Sequence, residues 1–189
     1  MSFYFDNAAT TFPKPECVYS SMDSFYRKHG GNAGRGQYKL AAESSKIIFE
    51  TRGFIQKILC SPNKDVIFAP SATVALNMVI QGLLSDDKKK TVYISPFEHN
   101  SVTRVLHHFE KIGKIRVRKL FVSQNFEYEI EKINAQFAEL PPDIVIVSHA
   151  SNVIGLVAPV LEIFAVAKKY GALTVTDMAQ TAGLVPLDV

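Results

Sequence analysis

Ala172-Leu173-Thr174-Val175-Thr176-Asp177-Met178-Ala179-Gln180 is the stretch that decides the fold. Its first five residues follow Gly171 and mix apolar with β-branched side chains, as a strand does, and they run straight into a carboxylate. A carboxylate at the C-terminal end of a buried strand is where an α/β protein holds a ligand, because the crevice beyond the carboxyl ends of parallel strands lies there. Working back along the chain, the pattern repeats. Residues 143–148, 114–122, 91–95 and 66–69 read as further strands, and residues 160–170, 127–140, 99–112 and 73–84 have helical apolar spacing. Five strands alternating with helices predict an α/β fold, a mostly parallel sheet with helices on both faces in three layers.

Upstream of the alternation, residues 15–28 place Val18, Met22, Phe25 and Tyr26 on one face of a helix. His29-Gly30-Gly31-Asn32-Ala33-Gly34-Arg35-Gly36 is too rich in glycine to be anything but a loop, and residues 38–60 read as a long amphipathic helix closed by Ser61-Pro62-Asn63. The expected organisation is an arm and helix over residues 1–30, followed by one larger α/β domain over residues 31–189.

The composition agrees with a packed protein. The chain has 189 residues, 47% hydrophobic and 21% charged, enough for one domain with a real core or one and part of another. Its net charge of +3 is scattered, apart from Lys88-Lys89-Lys90 and the stretch 111–119. The first reads as a solvated loop. The second alternates basic residues with Ile115 and Val117, as on a half-exposed edge strand. No basic stripe interleaved with aromatic residues is present, so a nucleic-acid partner is not expected. Cys17 and Cys60 lack a partner motif and are expected to be small buried residues on helices, in a reducing compartment. The N-terminus shows no signal-peptide pattern, no apolar run approaches a membrane span, and no metal-ligand spacing is present; a cytoplasmic protein is expected.

The residues after the strands carry the chemistry. Pro70-Ser71-Ala72-Thr73 opens a helix, where free backbone N–H groups and the helix dipole favour an anion; Ser71 or Thr73 acting as a simple cap is the ordinary alternative. Pro96-Phe97-Glu98-His99-Asn100-Ser101 offers an imidazole able to stack on a planar ligand or move a proton, or else a helix-start Glu beside a surface histidine. Ser148-His149-Ala150-Ser151-Asn152 suggests polar side chains held over a site, against a turn-forming Asn. Asp177 is suited to pair with a protonated ring nitrogen, or to cap a following helix. A parallel sheet brings such ends to one rim. An anion site, a stacking imidazole, an amide and a carboxylate are together what a phosphorylated pyridine cofactor requires.

On these motifs the chain resembles the class V aminotransferase group of fold-type I pyridoxal-phosphate enzymes, in its cysteine desulfurase and selenocysteine lyase branch. The resemblance runs through Tyr4-Phe5-Asp6-Asn7-Ala8-Ala9-Thr10-Thr11, Gly31-Asn32-Ala33-Gly34-Arg35-Gly36, Ser71-Ala72-Thr73, Glu98-His99, Ser151-Asn152-Val153-Ile154-Gly155 and Asp177-Met178-Ala179-Gln180. It implies that Ala72 and Thr73 hold the cofactor phosphate, that His99 stacks on the pyridine ring and acts in proton transfer, and that Asn152 helps orient substrate. Asp177 would pair with the ring nitrogen, Gln180 would bond the phenolic oxygen, and Ala8, Ala9, Asn32 and Arg35 would line the substrate entrance. Cysteine or selenocysteine would be the substrate, a homodimer the assembly and a sulfur-acceptor protein a partner. Three positions depart from the family pattern: Ser71 stands where glycine is usual, and Tyr38 and Asn100 replace histidines common in one branch.

In the family, the lysine that attaches the cofactor follows the ring-nitrogen carboxylate by roughly two dozen residues. The expectation is a truncated form whose sheet lacks its last strands and which has no desulfurase activity alone. The strand at 66–69 would then be cut off from the others, so the chain is expected to aggregate, rearrange or complete its sheet from another chain. Selenocysteine lyase, transaminase and epimerase reactions, and a non-catalytic interaction protein, are alternatives on the same fold. A Rossmann-type nucleotide binder is excluded, since neither G-x-G-x-x-G nor a P-loop follows the first strand.

Overall fold

The computed structural model describes residues 3–36 and 38–186. Two compact units divide the chain, one built mainly from the residues up to Ile67, the other comprising Phe68–Leu184.

The first unit carries α1 (Glu16–Lys28) and α2 (Lys39–Ile58). The glycine-rich loop between them is strapped to α2. Ser44 Oγ donates to the Gly31 carbonyl at 2.8 Å, Ser45 Oγ to the Ala33 carbonyl at 2.9 Å, and His29 Nδ1 lies 2.9 Å from Glu43 Oε2. Gly31 is required by close approach: a Cβ there would fall 2.5–2.7 Å from the backbone of Leu40 and Ala41. Both cysteines are exposed, which corrects the expectation that they are buried. The reason is local. Cys17 sits on α1, which buries no residue, and Cys60 lies just past α2 in a left-handed turn with φ +50°. Much of the apolar face expected on α2 is exposed as well, at Ile47, Ile48, Phe54 and Ile58, while the buried positions are Ala41 and Ser44.

The second unit holds α3 (Ala72–Leu83), β1 (Lys90–Ile94), α4 (Asn100–Lys111), β2 (Ile115–Lys119), α5 (Ile130–Glu139), β3 (Ile144–Ser148), α6 (Val160–Lys169) and β4 (Leu173–Asp177). The sheet is fully parallel in the order β2-β1-β3-β4. Alternation along the strands feeds two cores. Tyr93, Val145 and Val147 face α5 and α6, packing on Ile133, Phe137, Ile163 and Ala167; Val92, Ile94, Ile144 and Ile146 face α3 and α4, packing on Leu76, Ile80, Val102 and Leu106. The connection from β1 to β2 runs one way across the sheet through α4, and those through α5 and α6 run the other way over the opposite face. Right-handed crossovers require that arrangement, and it puts a topological switch point between β1 and β3. The basic stretch 111–119 contributes β2, an edge strand.

A fifth strand at 66–69 does not form; four strands make up the sheet among the described residues. A strand exists through its ladder partners, and both sides of β1 and β3 are already taken. The open edges belong to β2 and β4, and residues 66–69 pair with neither. Ile67 is instead 83% exposed. The motif Ser71-Ala72-Thr73 is therefore positioned by the packing of α3 on α4 rather than by a strand leading into it.

Candidate functional site

Because the sheet is parallel and ordered β2-β1-β3-β4, the segments after β1, β3 and β4 emerge as neighbours at one rim. Ser148 and Asp177, the last residues of β3 and β4, are partners in register, and the backbone N–H of His149 donates to the Asp177 carbonyl at 2.9 Å. At the same end, α3 and α4 start side by side: Asn77 Nδ2 donates to the Thr73 carbonyl at 2.8 Å and to the Ser101 carbonyl at 3.3 Å.

Ser71 is the N-cap of α3, its Oγ accepting the Val74 N–H at 3.2 Å. This leaves the N–H groups of Ala72 and Thr73 in the first turn, where no intrahelical acceptor exists and the helix dipole is positive. Thr73 and His99 line one cleft of about 480 Å³, shared with Asn77, Asn100, Ser101, Arg104 and Val105. The ring of His99 is fixed by its own helix. As N-cap of α4 it accepts the Ser101 N–H on Nδ1 at 3.1 Å, with Ser101 Oγ 2.9 Å away. Bonding of this kind leaves the proton of the neutral ring on Nε2.

Asp177, half-buried, closes a turn by accepting the Ala179 N–H on Oδ1 at 2.9 Å. Gln180 lies half-buried in the turn that follows, and Asn152 is exposed in the turn after β3. None of these three lines the cleft holding Thr73 and His99, although the strand order brings their segments to the same rim. In the first unit, Ala8 and Ala9 occupy a turn in which the Ala9 N–H donates to the Asp6 carbonyl at 3.0 Å. Asn32 Oδ1 accepts the Gly34 N–H at 2.8 Å, and Arg35 is exposed in the same loop.

Four residues at the rim have roles that the sequence did not disclose. Glu98 reaches across the switch point to β3: Oε1 accepts the Ser148 N–H at 2.5 Å and Oε2 accepts the Ser148 hydroxyl at 2.8 Å. Burial raises its carboxyl to about 7, helped by the negative charge of Asp177 and opposed by the Ser148 hydrogen bonds. Beside it, Ser95 Oγ and the Tyr128 hydroxyl pair at 2.6 Å, and burial raises the phenol. His149 turns inward. It is buried, its Nδ1 lies 2.9 Å from Thr181 Oγ1, and burial lowers its pKa, keeping the ring neutral. A local signal for Glu98 was its place beside His99; its partner is fifty residues away.

The Glu98 shift has a measurable consequence. In the fold it keeps its proton up to about 7, against an ordinary value of 4.5 for the unfolded chain. Stability is therefore highest below about 4.5, falls as the unfolded chain ionises first, and reaches its full loss above about 7, on the order of 3 kcal/mol. His149 works in the opposite sense. Urea unfolding at about pH 5 and about pH 8 is expected to show a decline in the wild type, relative to Glu98→Gln, between the two conditions. Identical pH dependence in the two proteins contradicts this assignment.

Among the described residues, no group of three His, Cys, Asp or Glu side chains is arranged to hold a metal, and no helix is long and apolar enough to cross a membrane.

Residues 3–189 match the class-V aminotransferase family. A probable cysteine desulfurase of Pyrococcus abyssi is 30% identical over 189 residues, covering 98% of this chain and 46% of that protein. The cysteine desulfurase IscS of Dictyoglomus turgidum is 30% identical, with 98% and 47% covered. Among solved structures, the apo cysteine desulfurase of Thermococcus onnurineus NA1 superimposes with a TM-score of 0.86 at 25% identity, over 95% of this chain and 44% of that one. The chain thus spans slightly less than half the length of these relatives.

Proposed function

Because this chain belongs to the class-V aminotransferase family, we propose that it forms the N-terminal part of the pyridoxal-phosphate-binding domain of a cysteine desulfurase, which converts cysteine to alanine and passes on the sulfur. The observation that carries the reading is the common rim: adjacent ends of β1, β3 and β4, with the starts of α3 and α4 beside them.

The donor set fits the cofactor. An open helix start with a hydroxyl suits a phosphate, an imidazole on the same cleft suits a planar ring, and a carboxylate at the end of β4 suits a protonated ring nitrogen. In this reading the Ala72 and Thr73 N–H groups and the Thr73 hydroxyl bind the phosphate. His99 would lie against the ring, and its Nε2–H is the group left to donate a hydrogen bond there, since Ser101 occupies Nδ1. Asp177 holds the proton on the ring nitrogen, Gln180 bonds the phenolic oxygen, and Asn152 orients the amino acid. When bound, pyridoxal phosphate supplies an electron sink for the pair left at the amino acid's α-carbon. The residues named here grip it without a covalent bond.

Cysteine as substrate, a homodimer as the working assembly, a sulfur-acceptor protein as partner and a cytoplasmic setting belong to the same reading. The desulfurase relatives support the first, and two exposed cysteines outside any disulfide are consistent with the last. The test is equilibrium dialysis of pyridoxal phosphate against the chain and against Thr73→Ala. Saturable binding at one site, weakened roughly three- to tenfold by loss of the hydroxyl, is expected. Absence of saturable binding, or binding indifferent to Thr73→Ala, contradicts the proposal.

A further inference from the structure

Glu98 has no part in the roles above, yet it makes the most committed polar contact at the rim. Both of its carboxylate oxygens bond Ser148, one through the N–H and the other through the hydroxyl, and the backbone of Ser95 adds a further hydrogen bond. Ser148 is the last residue of β3 and pairs in register with Asp177. The segment that carries Glu98 is also held on its other side, since Ser95 Oγ accepts the Phe97 N–H at 3.0 Å while bonded to Tyr128. His99 follows directly and is fixed at the start of α4 through Ser101.

A carboxylate is an expensive choice for this position. It must be taken out of water next to Asp177, a like charge, where a water or a smaller polar group would satisfy Ser148 at lower cost. What it adds is a rigid tie across the switch point, between the strand end preceding His99 and the strand end facing Asp177.

We propose that Glu98 is a positioning residue: its carboxylate pins the His99-bearing segment after β1 to the end of β3 and so fixes His99 relative to Asp177. The proposal deepens the cofactor-site reading and rests on it for its meaning, but the tie itself is a property of this chain without ligand. The tie requires geometry rather than charge. Glutamine in its place still accepts the Ser148 N–H through its amide carbonyl and donates to the Ser148 hydroxyl, whereas alanine makes neither contact.

Three readouts on Glu98→Ala, Glu98→Gln and wild type, at about pH 8, decide it. The first two need no cofactor: hydrogen exchange at the Ser148 amide, and the NMR resonances of the His99 ring. Glu98→Ala is expected to speed Ser148 exchange at least about tenfold and to shift or broaden the His99 signals, while Glu98→Gln stays within about threefold and keeps the signals in place. The third is pyridoxal-phosphate affinity, expected to weaken roughly tenfold in Glu98→Ala and to be restored in Glu98→Gln. An unchanged His99 ring in Glu98→Ala overturns the proposal, as does a Glu98→Gln protein that behaves like Glu98→Ala. Affinity within twofold of wild type despite faster Ser148 exchange reduces Glu98 to a strut and likewise overturns it. Should Glu98→Ala fail to fold, Ser148→Ala, which removes only the hydroxyl contact, must give a partial His99 shift or the proposal falls. A wild type that binds no pyridoxal phosphate overturns the cofactor-site reading instead, and the His99 signals still decide whether Glu98 positions that ring.

Discussion

Replacing Asp177 with asparagine is expected to weaken pyridoxal-phosphate binding about ten- to a hundredfold while leaving the stability of the fold almost untouched. The two effects separate because, in the proposed site, the carboxylate would meet two distinct demands. Locally, Oδ1 accepts the Ala179 N–H at 2.9 Å, a contact that an asparagine amide oxygen reproduces. Toward a protonated ring nitrogen, however, it is the charge that counts, and a charge-assisted hydrogen bond contributes roughly 1.5–3 kcal/mol, or about one to two powers of ten in affinity. Removing the charge also relieves Glu98, whose carboxyl Asp177 helps to hold up, so Glu98 should ionise at lower pH in the variant. Equilibrium dialysis and urea unfolding on the same preparations check both halves. Asparagine at 177 binding as tightly as the wild type would remove Asp177 from the site.

The largest effect on stability is expected from Phe137→Ala. Phe137 lies on α5 with no exposed surface, and it packs edge-on against Tyr93 of β1 at 4.9 Å between ring centroids and against Tyr170 at 6.0 Å. It therefore joins the sheet to two of the elements covering that face. Tyr93 is tied to the same helix end, donating its hydroxyl to the Gln136 and Leu140 carbonyls at 3.1 and 3.0 Å. Truncating a buried phenylalanine costs about 3–5 kcal/mol through lost transfer energy and the cavity left behind. Against a total of roughly 5–15 kcal/mol, that is enough to populate unfolded chain at moderate temperature. Urea unfolding followed by circular dichroism provides the check; a loss under about 1 kcal/mol would show that this face of the sheet is not packed as described.

Much of the second unit was legible because its strands are unusually explicit. Ile144-Val145-Ile146-Val147 is apolar on both faces, which only a central parallel strand with helices above and below satisfies, and the structure buries all four residues. Val66-Ile67-Phe68-Ala69 is likewise apolar throughout and forms no strand. The difference lies in partners rather than in residues, because a ladder is a non-local contact that composition does not report. The cysteines and the apolar faces of α1 and α2 misled for a related reason: helical periodicity shows that a face exists, not that anything covers it.

The rim divides in the same way. His99 follows β1 and Asp177 ends β4, positions that the local pattern of strands and helices already implies. Glu98 reads locally as a helix-start acid, and only the adjacency of β1 and β3 brings it onto Ser148. His149 looked like a residue held over the site, but it is spent on Thr181 inside the protein. Its neutrality and burial make it part of the support for the turn that begins at Asp177.

The measurement that bears most directly on the cofactor site is amide hydrogen exchange across the whole chain, with and without saturating pyridoxal phosphate. Added protection is expected in three separated stretches and little elsewhere in Phe68–Leu184: residues 72–74 at the start of α3, residues 97–101 around His99, and residues 177–180 after β4. Protection confined to other parts of the molecule, or none at concentrations that saturate binding, would contradict this assignment.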